Sequence, residues 1–163
     1  MNRFLFLLAG SLLISGCKEN QSAEINDLKS EQARVADAIA RLSPTKLEIY
    51  TLNPSLTPIS EDLSVKSENT FHGFQVLKTV EIISREDKKS LIEEFASGIR
   101  KSDGTVMKCF DPHHGLRAIT KIATNDFVIC FECLQTRAFG FEPAESFPIS
   151  TSPQSVFDKF LSK

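Results

Sequence analysis

The chain has 163 residues, 41% of them hydrophobic, with 19 basic against 21 acidic residues and a net charge of −2. That length and apolar fraction suit one small domain with an ordinary core. The slightly acidic balance, with no basic cluster, excludes a nucleic-acid footprint. Thirteen Phe, one Tyr and no Trp place the aromatic content in a residue that packs but does not hydrogen-bond, which counts against a sugar-stacking cleft.

The first residues read as an address. "MNRF" supplies a basic n-region through Arg3, and "LFLLAGSLLI" an apolar h-region too short to span a bilayer as a helix. Ile14-Ser15-Gly16-Cys17 follows. An aliphatic residue, two small residues and a cysteine in this position resemble the lipobox of bacterial lipoproteins. The resemblance implies a signal peptide over residues 1–16 and acylation of Cys17. Several acyl chains on one residue anchor a protein stably, where a single chain binds only marginally. Lys18 stands where an Asp would favour the inner membrane, so resemblance to enteric lipoproteins implies an outer-membrane anchor on the periplasmic face. An ordinary secretory signal with an incidental cysteine is the plainer reading, and it leaves the spacing unexplained. Removal of the leader takes Arg3 and no acid, leaving a net charge near −3. No later apolar run approaches spanning length.

Residues 17–23 are polar and read as a lipidated tether. Residues 24–42 read as an amphipathic helix, with Ile25, Leu28, Val35, Ile39 and Leu42 in an a/d pattern and Gln32 at a polar a position. The repeat is too short to specify a coiled coil, so packing on its own domain or service as a stalk is preferred to self-association. Ser43-Pro44 stops it. Residues 43–163 then read as an α+β domain. Lys46–Leu52 alternates as a strand, and Asn53–Asn69 is Pro- and Ser-rich loop. Phe71–Ile83 reads as a second strand. Ser84 caps a helix carrying Leu91, Ile92, Phe95 and Ile99. "TVMKCF", "GLRAITKIAT", "DFVICFECL" and "TRAFGFEP" read as strands, with Asn125-Asp126 as a hairpin turn. Pro143, Pro148 and Pro153 punctuate a loop, and Ser155–Leu161 reads as a closing helix. The expected architecture is a small antiparallel sheet of about four to six strands with two or three helices.

Once Cys17 is acylated, three cysteines remain: Cys109, Cys130 and Cys133. Together with a nearby histidine they have the inventory of a Cys3His zinc site, C-x2-C being the usual half-site. Against it, a regular strand over Phe127–Leu134 would point Cys130 and Cys133 to opposite faces. One disulfide, Cys109 with Cys130 or Cys133, is the competing reading, leaving one buried thiol. A redox C-x-x-C ranks lower, because such dithiols open a helix and none is expected after Cys133. A nucleophilic Cys109 paired with His113 or His114 ranks lowest, since both histidines fall in an Asp-Pro turn. Haem attachment is excluded because Leu134 follows Cys133.

"CFDPHHGLRAI" followed by "ICFEC" resembles a pattern of small bacterial proteins, many secreted or lipidated, that carry Cys-Phe-x-Pro-x-His-Gly and Ile-Cys-Phe-x-Cys segments. The match covers Val106–Leu134. Its positions here are Cys109, Phe110, Pro112, His114, Gly115, Cys130, Phe131 and Cys133. The resemblance implies His114 as the fourth metal ligand, with His113 as the alternative. It implies a site and no activity. The expectation is therefore a membrane-anchored, non-catalytic binding module with a structural Cys/His site and an envelope protein as partner. The alternative is a metal- or thiol-dependent activity at Cys109, His114, Cys130 and Cys133. No catalytic residue set is legible.

Overall fold

A computed structural model describes residues 16–54 and 69–162, with side chains from Asn26 onward. The expected Asn53–Asn69 loop lies largely outside the described residues. The chain runs α1 (Gly16–Ala40), β1 (Lys46–Asn53), β2 (Thr70–Phe71), β3 (Phe74–Ile82), α2 (Arg85–Arg100), β4 (His114–Ile119), β5 (Thr124–Cys130), β6 (Gln135–Phe139), β7 (Ser146–Pro148) and α3 (Gln154–Leu161). The strands form one antiparallel sheet in the order β2-β3-β1-β4-β5-β6-β7. The class is α+β as expected, with seven strands where four to six were expected. Among the described residues no helix is long and apolar enough to cross a membrane.

Helix α1 reaches back to Gly16, so residues 17–23, expected as a flexible tether, are helical. Those residues contain neither Gly nor Pro, and none strongly opposes a helix. Helix α2 starts as its sequence signals: the Ser84 hydroxyl accepts the Asp87 N–H at 3.2 Å, with Glu86 and Asp87 in the first turn. Its buried Leu91, Ile92, Phe95, Ala96 and Ile99 face the sheet and α1. Arg100 binds Asp37 of α1 at 2.7 Å.

The three helices cover one face of the sheet. Leu47 and Ile49, Leu116 and Ala118, Phe127 and Ile129 fill that face, with Val35, Ile39, Phe95 and Phe157 above them. The phenylalanines meet edge to face: Phe95 and Phe127 at 5.2 Å between centroids, Phe131 and Phe157 at 5.6 Å. This geometry suits the ring quadrupole and accounts for a chain so rich in Phe. A second, smaller core of Tyr50, Leu52, Phe71, Val76 and Val128 lies on the other face.

Four local expectations are corrected. "FHGF" is a hairpin and not part of one strand: His72 and Gly73 both have positive φ (50° and 87°), the two-residue turn whose twist matches the flanking strands. The β4–β5 turn falls at Thr120–Ala123, closed by the Thr120 N–H to the Ala123 carbonyl at 2.8 Å. Asn125 and Asp126, expected as that turn, sit inside β5 and are buried. Thr105–Phe110 is loop, held to the next turn by the Met107 N–H on the Cys133 carbonyl at 2.9 Å. Ser146–Pro148, expected as loop, adds the edge strand β7.

Two glycines admit close neighbours. A Cβ on Gly115 would lie 3.0 Å from the Phe71 ring, so any side chain there would press on the ring where it lies against the sheet. A Cβ on Gly98 of α2 would collide with the Pro153 ring ahead of α3. Alanine is favoured over glycine by about 0.8–1.0 kcal/mol within a helix, whereas overpacking costs about 1–3 kcal/mol. Gly98→Ala is therefore expected to destabilise the domain on balance, seen as a lower urea midpoint with an unchanged slope.

Candidate functional site

The sulfur cluster is built by the end of β5. The strand stops at Cys130, and residues 131–134 form a turn in which Leu134 has φ 55°. The turn brings the Cα atoms of Cys130 and Cys133 to 5.1 Å, and the two are disulfide-bonded. Expected pairings of Cys109 with Cys130 or Cys133 are thereby corrected. The turn removes the opposite-face geometry that a regular strand would impose on Cys130 and Cys133, so the two bond to each other. Cys109 is a free thiol on the exposed 104–113 loop, with its Sγ 3.8 Å from the Cys133 Sγ. Backbone donors address both bonded sulfurs. The Cys133 N–H donates to the Cys130 Sγ at 3.0 Å, and the Asp111 N–H donates to the Cys133 Sγ at 3.3 Å.

His114 does not join the sulfurs. It pairs across β4–β5 with Ile129, so both side chains lie on the helix-covered face, whereas Cys130, one residue on, lies on the opposite face. The His114 Nε2–H donates to the Asp158 Oδ1 on α3 at 2.9 Å. Its ring meets Phe131 and Phe157 edge-on at 5.0 and 6.0 Å. Its Nδ1 is buried without a partner. Among the described residues no group of three or more His, Cys, Asp or Glu is disposed to hold a metal ion. The expected zinc set of Cys109, His114, Cys130 and Cys133, with His113 as the alternative ligand, is corrected accordingly. Two of its thiolates are consumed in a disulfide, and its imidazole lies on the opposite face of the sheet from them. His113 and His114 instead line a cleft of about 330 Å³ with Glu132, Gln154 and Asp158. Thr51, the cross-strand partner of His114 on β1, lines the same cleft.

A second polar constellation escaped the sequence reading. Across the sheet face opposite the helices, Glu48, Arg117, Asp126 and Phe139 stand in one register row. Arg117 grips Asp126 with two bonds, at 2.8 and 2.6 Å. The His72 Nε2 reaches the same carboxylate at 2.8 Å, and its ring stacks on Phe139 at 3.8 Å. Arg117 also lies over the Phe71 ring, 5.2 Å from its centroid. The Arg117 guanidinium is held charged above its already high range, chiefly by Asp126. Tyr50 is pushed up by burial and by its hydrogen bond to Glu48 at 2.9 Å. Three bonds converge on the Asp126 carboxylate, and the row works as a latch that fastens the β2–β3 hairpin over the sheet. "His-Gly" between aromatic residues was the signal that could have placed the hairpin. Nothing local marked Asp126 as buried.

Burial depresses the His114 pKa below its ordinary 6.5, while Asp158 acts in the opposite direction and His113 adds to the depression. The native state thus keeps His114 neutral where the unfolded chain takes up a proton. Stability from this group is complete above about pH 6.5 and is lost as the pH falls below it. Urea midpoints measured from about pH 7 down to 5 are expected to fall, and His114→Phe is expected to flatten that decline. Compared with known proteins, the chain matches no protein-family model, no curated protein and no solved structure.

Proposed function

We propose that this chain is a bacterial lipoprotein held by acyl groups on Cys17 to the periplasmic face of the outer membrane, and that its α+β domain is a binding module for an envelope partner. The observation that carries the reading is the relation between the lipobox and α1. Among the described residues, which start at Gly16, the helix already takes in the acylation site. Asn26 to Glu31 are exposed, and Gln32 is the first buried residue among those with described side chains. From Cys17 to Gln32 the helix rises about 22 Å at 1.5 Å per residue. A helical stalk of that length supports a domain held clear of lipid headgroups. The Asp126 cluster supports a structural role for that sheet face, because its carboxylate is occupied by Arg117 and His72.

The anchor is tested by metabolic labelling with palmitate and by density fractionation of membranes. The expected result is label on the wild-type chain in the outer-membrane fraction. Cys17→Ser is expected to lose the label entirely and to accumulate as the uncleaved precursor. An unlabelled wild-type chain recovered in the soluble fraction overturns the reading.

A further inference from the structure

The three sulfurs differ sharply in access. Cys130 and Cys133 are each only 1% exposed, whereas Cys109 is exposed and free. An outside thiol or disulfide therefore meets Cys109 first. The Cys109 Sγ lies 3.8 Å from the Cys133 Sγ, close to van der Waals contact, and Cys133 is the sulfur through which Cys130 would be expelled. The Cys133 N–H already points at the Cys130 Sγ, and a hydrogen bond to a departing thiolate lowers its basicity and speeds its departure.

We propose that Cys109, Cys130 and Cys133 form a three-sulfur relay that passes a disulfide between an external disulfide-bearing substrate and the buried Cys130–Cys133 pair, with Cys109 as the entry point. This inference does not depend on the anchor or on the binding reading. In the reduced chain, the Cys109 thiolate attacks an external disulfide RSSR. A bond forms between the Cys109 Sγ and one R-sulfur, and the other leaves as a thiolate that takes a proton from water. The Cys133 thiolate then attacks the Cys109 Sγ and expels the second R-thiolate, leaving Cys109–Cys133. Finally the Cys130 thiolate attacks the Cys133 Sγ. This forms Cys130–Cys133 and returns Cys109 as a thiol. Overall, two protein thiols are oxidised and one RSSR is reduced to two RSH. Each thiol proton lost on attack matches one gained by a leaving sulfur. The same steps in reverse let Cys109 open the buried bond.

The Cys130–Cys133 bond closes only a very short loop, and stabilisation by restricting the unfolded chain shrinks with loop length. The fold is thus expected to survive its reduction, which a relay requires.

The test uses the full chain in detergent with Cys17→Ser, so that three sulfurs report. The chain is reduced, freed of reductant, mixed with oxidised glutathione, quenched in acid at intervals and mapped by peptide mass. The expected course is a glutathionyl group first on Cys109, then its loss, ending with Cys130–Cys133 bonded and Cys109 alkylatable. Cys109→Ser is expected to slow formation of the buried bond by at least about tenfold. Cys130→Ser is expected to trap Cys109–Cys133 with no free thiol. Parallel runs with a disulfide-linked pair of short peptides sort polypeptide from small-molecule substrates, and faster oxidation by either supports the relay. The proposal is overturned if glutathionylation of this three-sulfur parent chain never falls on Cys109, or if adding Cys109→Ser leaves its reoxidation rate unchanged. It is equally overturned if adding Cys130→Ser retains Cys133 as a free thiol. The mapping in the parent chain needs no substitution within the sulfur cluster.

Discussion

Side chains alternate along β5, so that Phe127 and Ile129 enter the helix-covered core while Val128 and Cys130 enter the opposite side. The rest of the molecule depends on that two-residue period. It aligns Asp126 with Arg117 in one register row, and it aligns His114 with Ile129 under the helices. A strand is rigid in this respect: moving the register by one residue would put Phe127 in the polar row and Asp126 among the phenylalanines. Such a slip would cost a buried aromatic cluster and strand a buried carboxylate, so a single register is strongly specified.

The polar row shows how a charge is kept inside. Burying a carboxylate alone is prohibitive, and Asp126 is buried with two bonds from Arg117 and one from His72. Removing one partner from such a pair commonly costs about 3–5 kcal/mol, since it leaves the other charge uncompensated. Arg117 is partly exposed, which places this latch below that range. The latch also has a steric condition. Phe71 carries Arg117 on its face and rests on Gly115, whose missing side chain leaves room for the ring. Hairpin, guanidinium and glycine are thus packed against one another as one unit.

At the end of β5 the regular pattern stops, and the chemistry begins there. A strand holds two residues three apart on opposite faces, and a turn can bring them together. Ending β5 at Cys130 therefore converts a pair that could not bond into one that does. The 104–113 loop, fastened to this turn through Met107 and Asp111, lays Cys109 beside it. His114 follows immediately in sequence, yet it is turned to the other face and held by Asp158. The neighbouring ends of β4 and β5 thus serve separate sites, sulfur on one side and imidazole on the other.

Local sequence alone determined the α+β class, the Ser84 cap of α2, the apolar face Leu91-Ile92-Phe95-Ile99, the stop before Pro44 and the short helix α3. These features arise from interactions within a few residues, which a linear pattern records. Only the tertiary structure decided the sulfur pairing, the separation of His114 from the cysteines, the burial of Asp126 and the hairpin at His72-Gly73. Each turns on where a strand ends or on which partner covers a face. Periodicity shows which residues share a face. It carries no information about the distant Arg117, Asp158 or Phe71 that makes the face wet, charged or dry.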